Sequence, residues 1–223
     1  MPIEYAIIVA GGKGTRIKSA IPKQFIELNG KPILLHTVEA FANYSTTLNI
    51  VLVLPREDFK TWESICRKFN FRRPILLQEG GSTRFQSVKK GLEKIDGEGL
   101  VAIHDGVRPL VSIDLIGASF RMAAEHGSAV AAVQLKESIR ITDRDNTKAL
   151  DRSHYRLIQT PQTFDLQLIK KAYQTLEDPS LTDDAGVAEN AGHKVSLFEG
   201  SYANIKITTS EDLIIAEALL KAN

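Results

Sequence analysis

A chain of 223 residues is long enough for one large α/β domain with a full hydrophobic core. Its 28 lysines and arginines against 27 aspartates and glutamates leave a net charge of +1, which argues against a general nucleic-acid or membrane-surface binder and makes any anion site local. Cys66 is the only cysteine, so an intrachain disulfide and a cysteine zinc cluster are both excluded.

The start, MPIEYAIIVAGG, has neither the basic region nor the cleavage site of a secretory signal, and no transit peptide is evident. No apolar stretch reaches the roughly 20 residues of a membrane helix. These features point to a bacterial cytoplasmic protein.

In chain order, apolar runs predict strands over 5–10, 49–54, 74–78, 100–104, 129–135, 138–142, 155–159, 195–198 and 204–207. Helical patterns fall over 33–43, 57–69, 83–95, 113–126, 165–176, 184–191 and 211–221. The early strands are apolar throughout, as in strands covered on both faces. Alternation of the two kinds predicts a mostly parallel sheet with helices on both sides. Residues 134–159 break the pattern: two strands flank the turn-prone DRDNTK and form a hairpin or arm. Such an arm either reaches a second subunit or is an ordinary surface hairpin.

After the first strand comes AGGKGTR, residues 10–16, and then PKQF, residues 22–25. In an open parallel sheet ligands sit beyond the carboxyl ends of the strands. Gly11, Gly12 and Gly14 leave backbone N–H groups accessible to phosphate oxygens, and Arg16 and Lys23 add charge. Pro22 stiffens the approach to Lys23. A Walker A string is absent, and Ile17 stands where a dinucleotide fingerprint needs its third glycine.

The stretch EGGSTRFQSV, residues 79–88, places a glycine pair before a helix that Ser82 or Thr83 caps, with Arg84 and Ser87 on its first turns. In VAIHDGVRPLV, residues 101–111, Asp105 follows a buried strand with Arg108 three residues on; it either holds a hard cation or forms a local ion pair. His104 reads as a packed strand-end residue. In NIKI, Lys206 faces away from Ile205 and Ile207. Thr208 and Glu211 fit a capping box, and Asp183 and Asp184 read as first-turn helix acids. No nucleophile–base pair stands out. A cationic, glycine-rich set of this kind suits phosphoryl or nucleotidyl transfer.

AGGKGTR, PKQF, GGSTRFQSV, HDGVRP, TPQ, TDDA and NIKIT occur in this order. Together they closely resemble the 2-C-methyl-D-erythritol 4-phosphate cytidylyltransferase family of the non-mevalonate isoprenoid pathway, from residue 5 to about 213. The resemblance implies an α/β, Rossmann-like nucleotidyltransferase fold with a projecting β-arm, one domain over 1–223, and a homodimer formed through the arm 134–159. It implies Mg²⁺ dependence and, as substrates, CTP and methylerythritol phosphate.

By position, Ala10, Gly11, Gly12 and Gly14 would line the CTP site, and Arg16 and Lys23 would clamp the triphosphate. Gly81, Arg84 and Ser87 would hold the nucleoside. Asp105 would sit near the metal, which is carried mainly by the CTP phosphates, and near the acceptor, with Arg108 close by. Thr160, Thr182 and Lys206 would contact the acceptor, and Arg152 would reach its phosphate from the neighbouring subunit. Ser138 stands where the family usually has threonine; the hydroxyl survives. Ribitol-5-phosphate cytidylyltransferases share most of these strings and remain a rival, as does, more distantly, a non-catalytic nucleotide-binding module.

Overall fold

The structure is a computed structural model that describes residues 2–12, 21–143, 146–175, 177–178 and 180–222. Gly14 and Arg16 lie outside the described residues. In chain order the elements are β1 (Glu4–Val9), β2 (Glu27–Leu28), β3 (Lys31–Pro32), α1 (Ile33–Tyr44), β4 (Asn49–Leu54), α2 (Phe59–Lys68), β5 (Leu76–Glu79), α3 (Arg84–Leu92) and β6 (Leu100–Asp105). There follow α4 (Ile113–His126), β7 (Ser128–Gln134), β8 (Ile139–Asp143), β9 (Asn146–Leu150), β10 (Arg156–Asp165), α5 (Leu166–Ala172), α6 (Asp184–Asn190), β11 (Leu197–Glu199) and α7 (Ser210–Ala222).

Seven strands form one sheet in the order β11-β7-β10-β6-β1-β4-β5. The pairs β1–β4, β1–β6, β4–β5 and β7–β11 are parallel, and β10 runs antiparallel between β6 and β7. The expected mostly parallel α/β sheet is therefore present. Its all-apolar strands follow from burial of both faces. Ala6 and Ile8 point into one layer with Leu34, Phe41, Trp62 and Phe120. Ile7, between them, points into the opposite layer with Val88, Phe164 and Ile169. Successive side chains of a strand alternate in direction, so both sets must be apolar.

Helix ends follow local chemistry. Ser112 Oγ accepts from the Leu115 amide 3.1 Å away and starts α4, and Gly127, at φ 76°, ends it in the left-handed region. Thr83, one of the two candidates, caps α3 by accepting from the Gln86 amide.

Three expectations change. The hairpin partner of β8 is β9, with Ile139 opposite Leu150, whereas all but the first residue of 155–159 enters the central sheet as the start of β10. Residues 156–158 pair with 132–134 of β7 instead of with β8. NIKI is no strand: Ile207 N donates to Val107 O, and the segment is otherwise irregular. The alternation inferred there survives, since Ile207 is buried and Lys206 turns outward. At α7 the cap is shifted by one residue. The Asp212 carboxylate accepts from the Thr209 amide at 2.8 Å, and Thr209 Oγ1 accepts from the Asp212 amide at 3.4 Å.

Candidate active site

Strand order reverses between β1 and β6, because β4 and β5 lie to one side of β1 and β6 to the other. Three loops leave the carboxyl ends of β1, β5 and β6 together at this switch point. Each is tied down by one backbone bond: Ala10 N to Val53 O, Gly80 N to Leu54 O, and Gly106 N to Val9 O, at 2.8–2.9 Å. Close approach explains two of the glycines. A Cβ on Gly106 would lie 2.7 Å from Ala10 Cβ, and one on Gly81 would lie 2.3 Å from Gln86 Cβ. Gly11 and Gly12 differ. Among the described residues a Cβ on either would meet no atom closer than 3.8 Å, and neither has positive φ. Both line the cavity beyond the sheet edge.

That cavity, of about 230 Å³, is lined by Ala10, Gly11, Gly12, Lys23, Gln24, Ser82, Thr83, Arg84, Ser87, Asp105 and Lys206, among others. A second, of about 190 Å³, is lined by Arg84, Asp105, Arg108, Gln159, Thr160, Gln162, Thr182, Asp183 and Lys206, among others. Arg84, Asp105 and Lys206 belong to both. Of the expected nucleotide residues Ala10, Gly11, Gly12, Lys23, Arg84, Ser87 and Asp105 line the first space, and of the expected acceptor residues Asp105, Arg108, Thr160, Thr182 and Lys206 line the second, across a shared wall; Gly81 lines neither.

Asp105 is the centre of that wall. Its Oδ1 lies 3.4 Å from Arg84 Nε, and its Oδ2 lies 3.0 Å from Lys206 Nζ and 3.4 Å from Arg108 Nε. Burial alone would raise the Asp105 carboxyl. The attraction of Arg84, Lys206 and Arg108 outweighs it and holds the group well below the usual carboxylate range. Arg108 is buried too, which lowers its guanidinium from the usual value, and its Nη1 donates to Asn204 O at 2.8 Å.

Thr160 and His104 support Asp105 from beneath. The Asp105 amide donates to Thr160 Oγ1 at 3.1 Å, and Thr160 Oγ1 lies 3.0 Å from His104 Nδ1. Burial pushes His104 down to about 3, so the ring is neutral. With Nδ1 accepting from the threonine, Nε2–H is left to face Arg108 O at 3.4 Å. His104 is the packed strand-end residue expected. Thr160 is at the acceptor cavity, but both bonding directions of its hydroxyl are used within the protein.

Ser87 Oγ accepts from the Gly81 amide at 3.0 Å and donates to Thr83 O at 2.8 Å, which shapes the loop before α3. Lys23 sits on a 3-10 turn, Lys23–Phe25, directly after Pro22. Gln24 beside it is buried and donates to Asp58 Oδ2 at 3.0 Å. Ser138 and Arg152 stand apart from these residues. Both are exposed, neither lines either cavity, and the Arg152 guanidinium donates to Lys136 O.

The supporting roles of three residues escaped the sequence reading. Asp184 is no ordinary first-turn acid: it is fully buried against Arg84 and Tyr173. Gln162, also buried, donates to Asp183 Oδ2 at 3.0 Å and accepts from the Ala185 amide at 2.8 Å, which pins the start of α6. Gln24 was within reach, because it lies inside PKQF. Nothing in the sequence joins Asp184 to an arginine 100 residues away.

The chemistry of such a wall is charge neutralisation and alignment of anions. Three cationic side chains and one carboxylate line the first cavity among the described residues. No group of three or more His, Cys, Asp or Glu side chains able to hold a metal ion occurs among them. No helix of the described residues is long and apolar enough to cross a membrane.

The profile of the family IspD, 2-C-methyl-D-erythritol 4-phosphate cytidylyltransferase, matches residues 5–222. A protein of that name from Bacteroides thetaiotaomicron is 46% identical over 214 residues, covering 96% of this chain and 98% of its own. One from Azobacteroides pseudotrichonymphae is 45% identical and covers 99% of this chain and 100% of its own. The crystal structure of a 4-diphosphocytidyl-2C-methyl-D-erythritol synthase from Anaerococcus prevotii superposes with a TM-score of 0.85 at 31% identity, over 99% of this chain and 96% of that one. With the loops, the switch-point cavities and these matches agreeing, the chain belongs to the 2-C-methyl-D-erythritol 4-phosphate cytidylyltransferase family.

Proposed function

We propose that this chain joins CTP and 2-C-methyl-D-erythritol 4-phosphate to give 4-diphosphocytidyl-2-C-methyl-D-erythritol and pyrophosphate. The observation that carries the reading is the shared wall of Arg84, Asp105 and Lys206 between a glycine-lined cavity and a second polar one. The triphosphate lies along Gly11, Gly12 and Lys23, with Gly14 and Arg16 completing the clamp. Gly81, Arg84 and Ser87 hold the nucleoside. The acceptor takes the second cavity beside Arg108, Thr160, Thr182 and Lys206.

An acceptor phosphate oxygen attacks the α-phosphorus of CTP. The new O–P bond forms as the bond to the bridging oxygen breaks, and the electron pair leaves with pyrophosphate. A phosphomonoester has a second pKa of about 6, so at neutral pH the attacking oxygen carries no proton to remove. That agrees with a site rich in cations and without an evident base. Lys23 and Lys206 offset the repulsion between the two anions and align them.

Mg²⁺ enters this reading as part of the CTP complex. Asp105 is the one carboxylate lining the first cavity among the described residues, and it already faces three cations. A triphosphate-borne Mg²⁺ needs only one or two protein carboxylates, and Asp105 is the one available at the wall. Bound there, the ion would neutralise charge on phosphate oxygens.

We assign the arm 134–159 to a homodimer. Its exposed apolar side chains, Ile141, Tyr155, Leu157 and Ile158, suit coverage by a second copy, and Arg152 and Ser138 lie away from their own chain's cavities. Each would serve the acceptor site of the other subunit. The reaction is tested by ³¹P NMR of a mixture of protein, CTP, Mg²⁺ and the acceptor. One diphosphodiester and one pyrophosphate should appear for each CTP consumed. Hydrolysis to CMP alone, or no consumption, would overturn the reading.

A further inference from the structure

Arg84 lines both cavities, and its direction is set from behind. Asp184, the first residue of α6, is 0% exposed. Carboxylates are almost never fully buried unless paired. This one accepts from Arg84 Nη1 at 2.8 Å, from Arg84 Nη2 at 2.6 Å and from Tyr173 Oη at 2.6 Å. The two arginine bonds form a fork-to-fork pair, which fixes a guanidinium in both direction and plane. Tyr173 is buried as well, and its ring lies 4.7 Å from that of Phe85, the residue after Arg84. On its remaining side Arg84 Nε faces Asp105 at the longer distance of 3.4 Å.

Asp184 itself lines neither cavity, whereas the two residues before it, Thr182 and Asp183, line the second. One short segment, 182–184, thus supplies part of the acceptor wall and the anchor of an arginine common to both spaces. We propose that Asp184 is a positioning residue for the transfer reaction, acting through Arg84 to set where the nucleotide sits relative to the acceptor. The proposal rests on the cytidylyltransferase reading above. A buried pair that only held the fold together would leave the affinity for CTP untouched in any folded variant. A positioning pair would not, because loss of the fork lets the guanidinium swing out of the plane that faces the cavities.

The test is Asp184→Asn, which keeps the volume but offers one acceptor oxygen. Thermal melting first fixes a temperature at which the variant is fully folded. There, KM for CTP should rise roughly tenfold, the effect of one charge-assisted hydrogen bond, with kcat lowered and KM for the acceptor changed less. A folded variant with both KM values and kcat within about twofold of the wild type would overturn the proposal. So would a loss confined to kcat, which would place the pair's effect in the transition state and not in the seating of the nucleotide. If Asp184→Asn does not fold, Tyr173→Phe decides. It leaves the fork but removes its brace, and KM for CTP should rise roughly threefold; an unchanged KM overturns the proposal. Wild-type protein that releases no pyrophosphate from CTP and acceptor refutes the functional reading instead, so the two failures are distinguishable.

Discussion

The carboxyl end of β6 and the arm carry the same kinds of charge in opposite surroundings. At β6, Arg84, Arg108 and Lys206 surround the buried Asp105 at 3.0–3.4 Å. On the arm, Arg152 and Lys148 are exposed and β8 and β9 contact little but each other and solvent. Charges fixed in a water-poor wall keep their orientation and act strongly on a phosphate, whereas exposed pairs are worth only about 0–1 kcal/mol and are screened by salt. The wall can work within one chain. The arm's exposed charges would gain comparable weight only under a second surface, as in the proposed homodimer.

Four experiments break or sharpen this contrast. The largest effect is expected at the wall's nucleotide side. Lys23→Ala should lower kcat by about 10²–10³, the usual loss when one preorganised charge is removed, with little change in Tm. Near-normal turnover would remove Lys23 from the clamp. Asp105→Asn comes next. It leaves buried cations without their counter-charge and should cost about 3 kcal/mol of stability, read from urea unfolding. A loss below about 1 kcal/mol would mean that the cluster is solvated like a surface network.

The third experiment addresses the arm. Arg152→Ala and Lys206→Ala, each impaired alone, are mixed and allowed to exchange subunits. If Arg152 serves the partner's site, the mixed dimer has one intact site, and activity should recover to about a quarter of wild type. No recovery from an exchanged mixture would place Arg152 in its own chain's function.

The smallest effect is a pH slope. His104 is neutral in the fold, with its ordinary 6.5 pushed down to about 3 by burial. Between those values the unfolded chain binds a proton that the native chain does not. Stability therefore falls as pH drops from about 6.5, by up to about 1.4 kcal/mol per pH unit. Asp105 adds a separate loss only near and below the ordinary carboxylate value, because its folded value is depressed. His104→Gln should flatten the slope between pH 6.5 and about 4.5 in urea titrations; an unchanged slope would assign it to other groups.

The fold was largely legible because its signals are local. The apolar runs YAIIVA and IVLVL become the bulk of β1 and β4, and Ser112 and Gly127 bracket α4 as capping chemistry requires. The site was legible where glycine and charge sit at strand ends, as with Gly11, Gly12, Lys23 and Asp105. What failed depended on distant partners. Residues 156–158 pair with β7, a long-range partner that no spacing reveals. Asp184 looks like any helix-start acid until folding brings Arg84 to it, and Gln24 needs Asp58 to acquire a purpose.

The most direct measurement is pyrophosphate release with CTP and Mg²⁺, comparing 2-C-methyl-D-erythritol 4-phosphate with ribitol 5-phosphate. The account predicts strong preference for the methylerythritol acceptor. Preference for ribitol 5-phosphate would keep the nucleotide half of the site and refute the acceptor half, and release with neither would contradict the proposed reaction.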